Sequence, residues 1–174
     1  MHRAVCLKLL TLARGIEIKT LAEVGVWLGE ASCFFAQFFP NAHLYLVDPW
    51  KPSNQYLETG QGPGTSQKDY DQALQNVKRL FQDNPQVSIF PKSSQEALSL
   101  VPNNLDLVFI DGDHSYEAVK HDILSWKQKV RPGGILAGHD YHPNFPGVVE
   151  AVDECLKNQL QVGDATVWFT QIPS

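Results

Sequence analysis

The chain has 174 residues, 43% of them hydrophobic and 19% charged, which suits one globular domain with a sizeable core and argues against disorder or a two-domain enzyme. A formal net charge of -5, with no block of Lys or Arg, argues against a sequence-independent grip on nucleic acid and favours a small or neutral substrate. No apolar run approaches the roughly 18 residues of a membrane span, the N-terminal residues lack a secretory pattern, and Cys6, Cys33 and Cys155 read as reduced core thiols, so a cytoplasmic protein is expected.

In chain order, residues 3–14 carry apolar positions at helical spacing and end at Gly15. Residues 20–25 read as a short buried strand, and residues 30–39, small and aromatic all round, as a buried helix ended by Pro40. Residues 43–47 form the next strand, closed by Asp48-Pro49. The polar stretch 50–66, with Pro52, Gly60, Gly62, Pro63 and Gly64, is too long for a simple connection and is expected to act as a lid. Trp50 and Tyr56 in it could stack on an acceptor or pack against the body. A helix over about 69–82 presents Tyr70, Ala73, Leu74, Val77, Leu80 and Phe81 as one stripe.

A strand at 86–90, a short helix at 94–100, a strongly apolar strand at 105–110 and a helix at 115–129 come next. The turn Arg131-Pro132-Gly133-Gly134 leads into a strand at 134–138, then a helix at 146–159 and a last strand at 166–171. Leu160-Gln161-Val162 could pair with that last strand as a hairpin. Repeated β-then-α units predict an α/β, doubly wound, Rossmann-like and mostly parallel sheet, helices on both faces, with a C-terminal antiparallel edge. Ligands of such sheets sit beyond the carboxyl ends of the strands, where strand order reverses.

Those strand ends carry the chemistry. The first leads into Glu23-Val24-Gly25-Val26-Trp27-Leu28-Gly29, whose glycines permit a tight turn and close backbone approach to a ligand. The spacing is Gly-x-x-x-Gly rather than Gly-x-Gly-x-x-Gly, which disfavours a dinucleotide pyrophosphate. The second strand ends in Asp48, able to accept both hydroxyls of a ribose or simply to cap the turn before Pro49. The third leads to Ser93-Ser94-Gln95-Glu96, where Ser94 suits an adenine contact, a helix N-cap, or both. The fourth delivers Asp111-Gly112-Asp113-His114 and the fifth His139-Asp140-Tyr141-His142, two polar clusters that parallel neighbours would bring face to face.

These motifs, in this order over about residues 20–155, resemble class I S-adenosylmethionine-dependent methyltransferases. The resemblance is closest to the small-molecule branch of catechol O-methyltransferase-like and antibiotic-sugar O-methyltransferase-like enzymes. It implies S-adenosylmethionine as cofactor, with Glu23 and Gly25 bounding its methionine part and Trp27 and Gly29 shaping the loop. It further implies Asp48 at the ribose, Ser94 and Gln95 by the adenine, and Asp111 near the sulfonium. Trp27 could equally be a packed aromatic without ligand contact.

Metal-dependent relatives hold magnesium with an Asp in the first cluster and an acidic pair in the second, so the resemblance implies Asp111, His139 and Asp140 as a metal set. His139 departs from that pattern, since imidazole suits zinc, iron or nickel better than magnesium. Another metal, magnesium on Asp111 and Asp140 alone, or no metal all remain open. His114 lies where some sugar O-methyltransferases place a general base, and with Asp111 it forms the catalytic pair implied here. Capping of the following helix is the competing role for His114. His121 and Asp122 are expected to tie that helix to its neighbours, and His142 to line the pocket or sit in a surface turn.

The expected function is therefore methyl transfer to a hydroxyl of a small-molecule acceptor, with no nucleic-acid or membrane partner. Homodimerisation through the hairpin edge or the N-terminal helix is compatible with the sequence. The competing readings are a nucleotide-dependent oxidoreductase, a non-catalytic cofactor-binding protein of the same fold, and a His/Asp metal hydrolase.

Overall fold

Helix α1 (Arg3–Ala13) starts from His2, whose Nδ1 accepts the Ala4 amide at 3.1 Å. The structure, a computed structural model, describes residues 1–52, 63–64 and 66–173. Strands β1 (Thr20–Val24) and β2 (His43–Val47) flank α2 (Glu30–Phe38). Helix α3 (Gln67–Leu80) starts with a capping box in which Ser66 and Asp69 satisfy each other's backbone amides. It is followed by β3 (Val87–Phe90), the one-turn α4 (Ser94–Ala97) and β4 (Leu105–Ile110). Then come α5 (Tyr116–Trp126), β5 (Val130–Gly138), α6 (Pro146–Leu156), β6 (Gln161–Val162) and β7 (Trp168–Gln171).

The seven strands form one sheet in the order β3-β2-β1-β4-β5-β7-β6. Strands β1 to β5 are parallel, β7 runs antiparallel to β5, and β6 pairs antiparallel with β7. Strand order reverses between β1 and β4, so the chain winds outward in both directions from that pair. Alternation along the strands sorts the core. Leu21, Leu44, Leu46, Leu107 and Phe109 face α1, α2 and α3, whereas Ala22, Val24, Val47, Val108 and Ile110 face α5 and α6. At the amino rim, Asp106 accepts the amides of Lys19 at 2.8 Å and Thr20 at 2.9 Å and pairs with Arg131 at 2.6 Å. Burial opposes ionisation there, but Arg131 and the amides outweigh it and hold the Asp106 pKa low.

Several expectations need correction. Strand β5 starts at Val130 because a bulge shifts its register between the Leu105–Val130 and Leu107–Ile135 pairs, absorbing the Arg-Pro-Gly-Gly turn into the strand. The final strand starts at Trp168, since Ala165 and Thr166 both have φ of 56° in the preceding turn. The helices expected over 115–129 and 146–159 stop as α-helix at Trp126 and Leu156 and continue as single 3-10 turns. Helix α2 buries only Ala31, Ser32 and Phe35, which leaves Cys33 exposed rather than in the core. Most of the expected lid, including Tyr56, lies outside the described residues. Among the described residues no helix is long and apolar enough to cross a membrane.

Candidate active site

The loops beyond the carboxyl ends of β1, β2, β4 and β5, together with the start of α4, enclose a cavity of about 740 Å³. Gly25, Trp27, Asp48, Ser94, Gln95, Asp111, His114, His139 and Asp140 all line it. The size falls within the usual range of small-molecule and cofactor pockets.

Gly25 has φ of 91°, and a Cβ there would lie 2.1 Å from the Asp111 carbonyl oxygen. Only glycine lets the β1 and β4 loops approach this closely. Asp48 braces the turn from below: Oδ2 accepts the amides of Val26 and Trp27, both at 2.9 Å, and Oδ1 accepts that of Trp50 at 2.6 Å. Asp48 thus caps the loop and faces the cavity at once. Burial raises its pKa, and the three amides oppose the rise. Trp27 packs edge-on against Tyr70, with centroids 5.0 Å apart, and also lines the cavity. Trp50 is 1% exposed and donates its indole N–H to the Trp27 carbonyl at 2.9 Å, so it packs against the body.

Two residues expected at the cofactor, Gly29 and Glu23, lie outside the cavity lining. Gly29 begins α2 with φ of 81° and abuts Val77 of α3. Glu23 lies on the opposite face of β1 from Val24, is 1% exposed and accepts the Ser32 hydroxyl at 2.5 Å. Burial pushes its pKa up to about 8, with the Ser32 bond opposing and the Asp111 charge adding to the rise.

The N-cap of α4 is Ser93, which shares a capping box with Glu96. Ser94 is the first helical residue; its hydroxyl donates to Asp122 and accepts the Trp126 indole N–H at 2.7 Å. Gln95 lies exposed at the rim. His121 and Asp122 line the cavity as well, because one side of the first two turns of α5 forms part of its wall. His142 belongs to a separate surface depression with Tyr141 and Pro143.

At the other end, one chain of charged groups crosses the cavity. Asp140 Oδ2 meets His114 Nε2 at 2.9 Å, and Oδ1 meets His139 Nδ1 at 3.0 Å. His139 Nδ1 lies 3.6 Å from Asp111 Oδ1, and Asp111 Oδ2 lies 3.0 Å from Arg3 Nε. Asp140 adopts φ of 61°, a left-handed conformation that Asp tolerates better than most side chains, and this turns its carboxylate back between the two imidazoles. For both His114 and His139, burial works against the charged form, but Asp140's hydrogen bonds and the nearby carboxylates outweigh it and raise the pKa. The same contacts hold Asp140 well below the usual carboxylate range despite its burial. Burial raises the Asp111 pKa, opposed by His139 and Arg3.

Asp111, His139 and Asp140 each offer a ligand atom within 4.8 Å of one another. As a metal set they compete with protein partners outside the set, since Asp140 Oδ2 pairs with His114 and Asp111 Oδ2 with Arg3. Sequence reasoning missed Arg3. It lies more than a hundred residues from its partner, and no local pattern marks it.

A sheet wound this way, with an antiparallel seventh strand and a cavity at the carboxyl rim, is the Rossmann-like fold of class I methyltransferases. The fold matches the O-methyltransferase NovP with a TM-score of 0.70 at 20% identity, over 98% of this chain and 78% of that one. It matches CalS11, a TDP-rhamnose 3'-O-methyltransferase of calicheamicin biosynthesis, with a TM-score of 0.63 at 15% identity, over 94% and 76% of the two chains. An uncharacterized protein of Acanthamoeba polyphaga mimivirus is 34% identical over 147 residues, 83% of this chain and 62% of that protein, so the chain spans less than two-thirds of that relative. Residues 22–141, more than two-thirds of the chain, match the model of a methyltransferase domain family. The chain belongs to that family.

Proposed function

We propose that this protein transfers the methyl group of S-adenosylmethionine to a hydroxyl of a small molecule, with His114 as the base. One observation carries the reading: the glycine turn with Asp48 and the His114–Asp140 pair open into the same cavity. The cofactor supplies an electrophilic methyl on a cationic sulfur. Asp48 and Gln95 face the part of the cavity suited to its nucleoside, and Asp111 presents negative charge for its cationic end, favourable in a partly dry pocket. Asp140 accepts from Nε2 of His114. A neutral imidazole held in that tautomer keeps the lone pair of Nδ1 as proton acceptor for the hydroxyl.

The named activities of NovP and CalS11, both O-methyltransferases and one acting on a nucleotide sugar, support oxygen as the acceptor atom. The net charge of -5 favours a small acceptor over nucleic acid. The test pairs calorimetric titration with S-adenosylhomocysteine and labelled methyl transfer to a panel of sugars and phenols. We expect wild type and His114→Ala to bind the ligand equally, with transfer falling about 10²- to 10⁴-fold in the variant. Absence of binding at millimolar ligand refutes the donor assignment. Binding without transfer to any acceptor supports a non-catalytic protein, and undiminished transfer by His114→Ala removes the base.

A further inference from the structure

The cluster at the reacting end has a positive charge of its own. Arg3, in the first turn of α1, extends its side chain over α2 to the carboxyl rim of the sheet, and the side chain is only 23% exposed. Its Nε meets Asp111 Oδ2 at 3.0 Å, as an ion pair rather than an aligned hydrogen bond, while a terminal nitrogen reaches Glu30 Oε2 at 3.3 Å. Glu30 thus fixes the guanidinium from the outside and Asp111 from the inside.

The surrounding donors leave little for a second cation. A small divalent ion with ligands at about 2.1 Å draws neighbouring donors to roughly 3 Å of each other. Here His139 Nδ1 lies 3.0 Å from Asp140 Oδ1 and 3.6 Å from Asp111 Oδ1, so the Asp111 side of the group is the looser one. Both Asp140 oxygens are engaged by imidazoles, and the remaining nitrogen of His139, Nε2, meets the Thr166 hydroxyl at 3.3 Å. Asp111 Oδ2, the oxygen turned away from His139, faces the guanidinium. Any ion entering the cluster would have to displace Arg3 or sit beside it against like-charge repulsion.

We infer that Arg3 is the built-in cation of this site: its guanidinium supplies beside Asp111 the positive charge a divalent ion would bring, neutralises Asp111 and keeps the cluster metal-free. The inference rests on reading the cluster as the transfer site, and it makes Arg3 a positioning residue acting through Asp111.

The test measures metal affinity and needs no acceptor. Mn²⁺ is titrated into the chelator-free protein and followed by electron paramagnetic resonance of the free ion. Wild type is expected to show no saturable binding in the millimolar range, and Arg3→Met to bind at least about tenfold more tightly. Adding Asp111→Asn to Arg3→Met should abolish the gain, and Arg3→Lys, which keeps the charge, should restore exclusion. Glu30→Gln cuts the tie between α1 and α2 but leaves the cation, so it should behave as wild type; a gain there equal to that of Arg3→Met would reduce Arg3 to a helix anchor and overturn the inference. Saturable binding by wild type as tight as that by Arg3→Met overturns it, as does absence of binding in both. Should Arg3→Met fail to fold, Arg3→Gln carries the same comparison. Thermal shift with S-adenosylhomocysteine on the same samples reads the donor pocket separately, so failure of the cofactor assignment is distinguishable from failure of the built-in cation.

Discussion

Replacing Glu23 by Gln should stabilise the protein at neutral and alkaline pH, with an advantage that grows as pH rises to about 8. Glu23 is 1% exposed, and burial lifts its pKa from the ordinary 4.5 to about 8. The native state therefore holds a proton that the unfolded chain releases. The stability this confers is complete below the unfolded value and declines as pH rises, levelling off above about 8. Each pH unit in that window is worth about 1.4 kcal/mol. At neutral pH the native carboxyl therefore costs about 3 kcal/mol relative to a group that does not titrate. Gln keeps an acceptor for the Ser32 hydroxyl but brings two amide hydrogens into a dry site, which offsets about 1–2 kcal/mol of the gain. The slope is the sharper quantity. Urea unfolding at intervals from about pH 5 to pH 9 should show the variant's advantage growing by about 1.4 kcal/mol per unit up to pH 8 and then flattening. Parallel stability curves for the two proteins would refute the reasoning, because they would mean that Glu23 titrates at the same pH folded and unfolded.

Other perturbations probe the rim. In Asp140→Asn, His114 loses the partner that raises its pKa, so its imidazole resonances in NMR should titrate at lower pH than in wild type. The rise of methyl transfer with pH, which follows the neutral base, should move the same way. An unmoved His114 titration would show that Asp140 does not set its proton affinity. Gly25→Ala forces a Cβ into the Asp111 carbonyl at a left-handed φ, which should cost about 3 kcal/mol and abolish the thermal shift given by S-adenosylhomocysteine. Wild-type stability in the Gly25→Ala variant would mean that the β1 and β4 loops can part freely.

Most of the architecture was legible because its signals are local. Runs such as Leu105–Ile110 are strongly apolar, helical stripes separate them, and β1, β2, β4 and β5 each end at a glycine or an acidic residue. That combination sufficed to place Gly25, Asp48 and Asp111 at one rim. The failures have local explanations too. Ser93 rather than Ser94 caps α4, a result available from Glu96, which lies three residues after Ser93 as a capping box requires. Glu23 belongs to the motif but faces away from the cavity, a consequence of strand alternation next to Val24. Arg3 could not be found by such means. Its role depends on how α1 lies across α2, and nothing within a few residues of it encodes that packing. Asp122 ties α5 to α4 through the Ser94 hydroxyl, as expected, and with His121 it also lines the cavity.

Asp48 has a consequence for how occupancy of the pocket would be felt elsewhere in the chain. Its carboxylate is shared among Val26, Trp27 and Trp50, and Trp50 in turn fastens its indole to the Trp27 carbonyl. A sugar hydroxyl arriving at Asp48 must draw on lone pairs that already secure three backbone amides. Filling the pocket and tightening its rim therefore compete for one side chain, and hydrogen exchange at those amides would register a guest that never touches them.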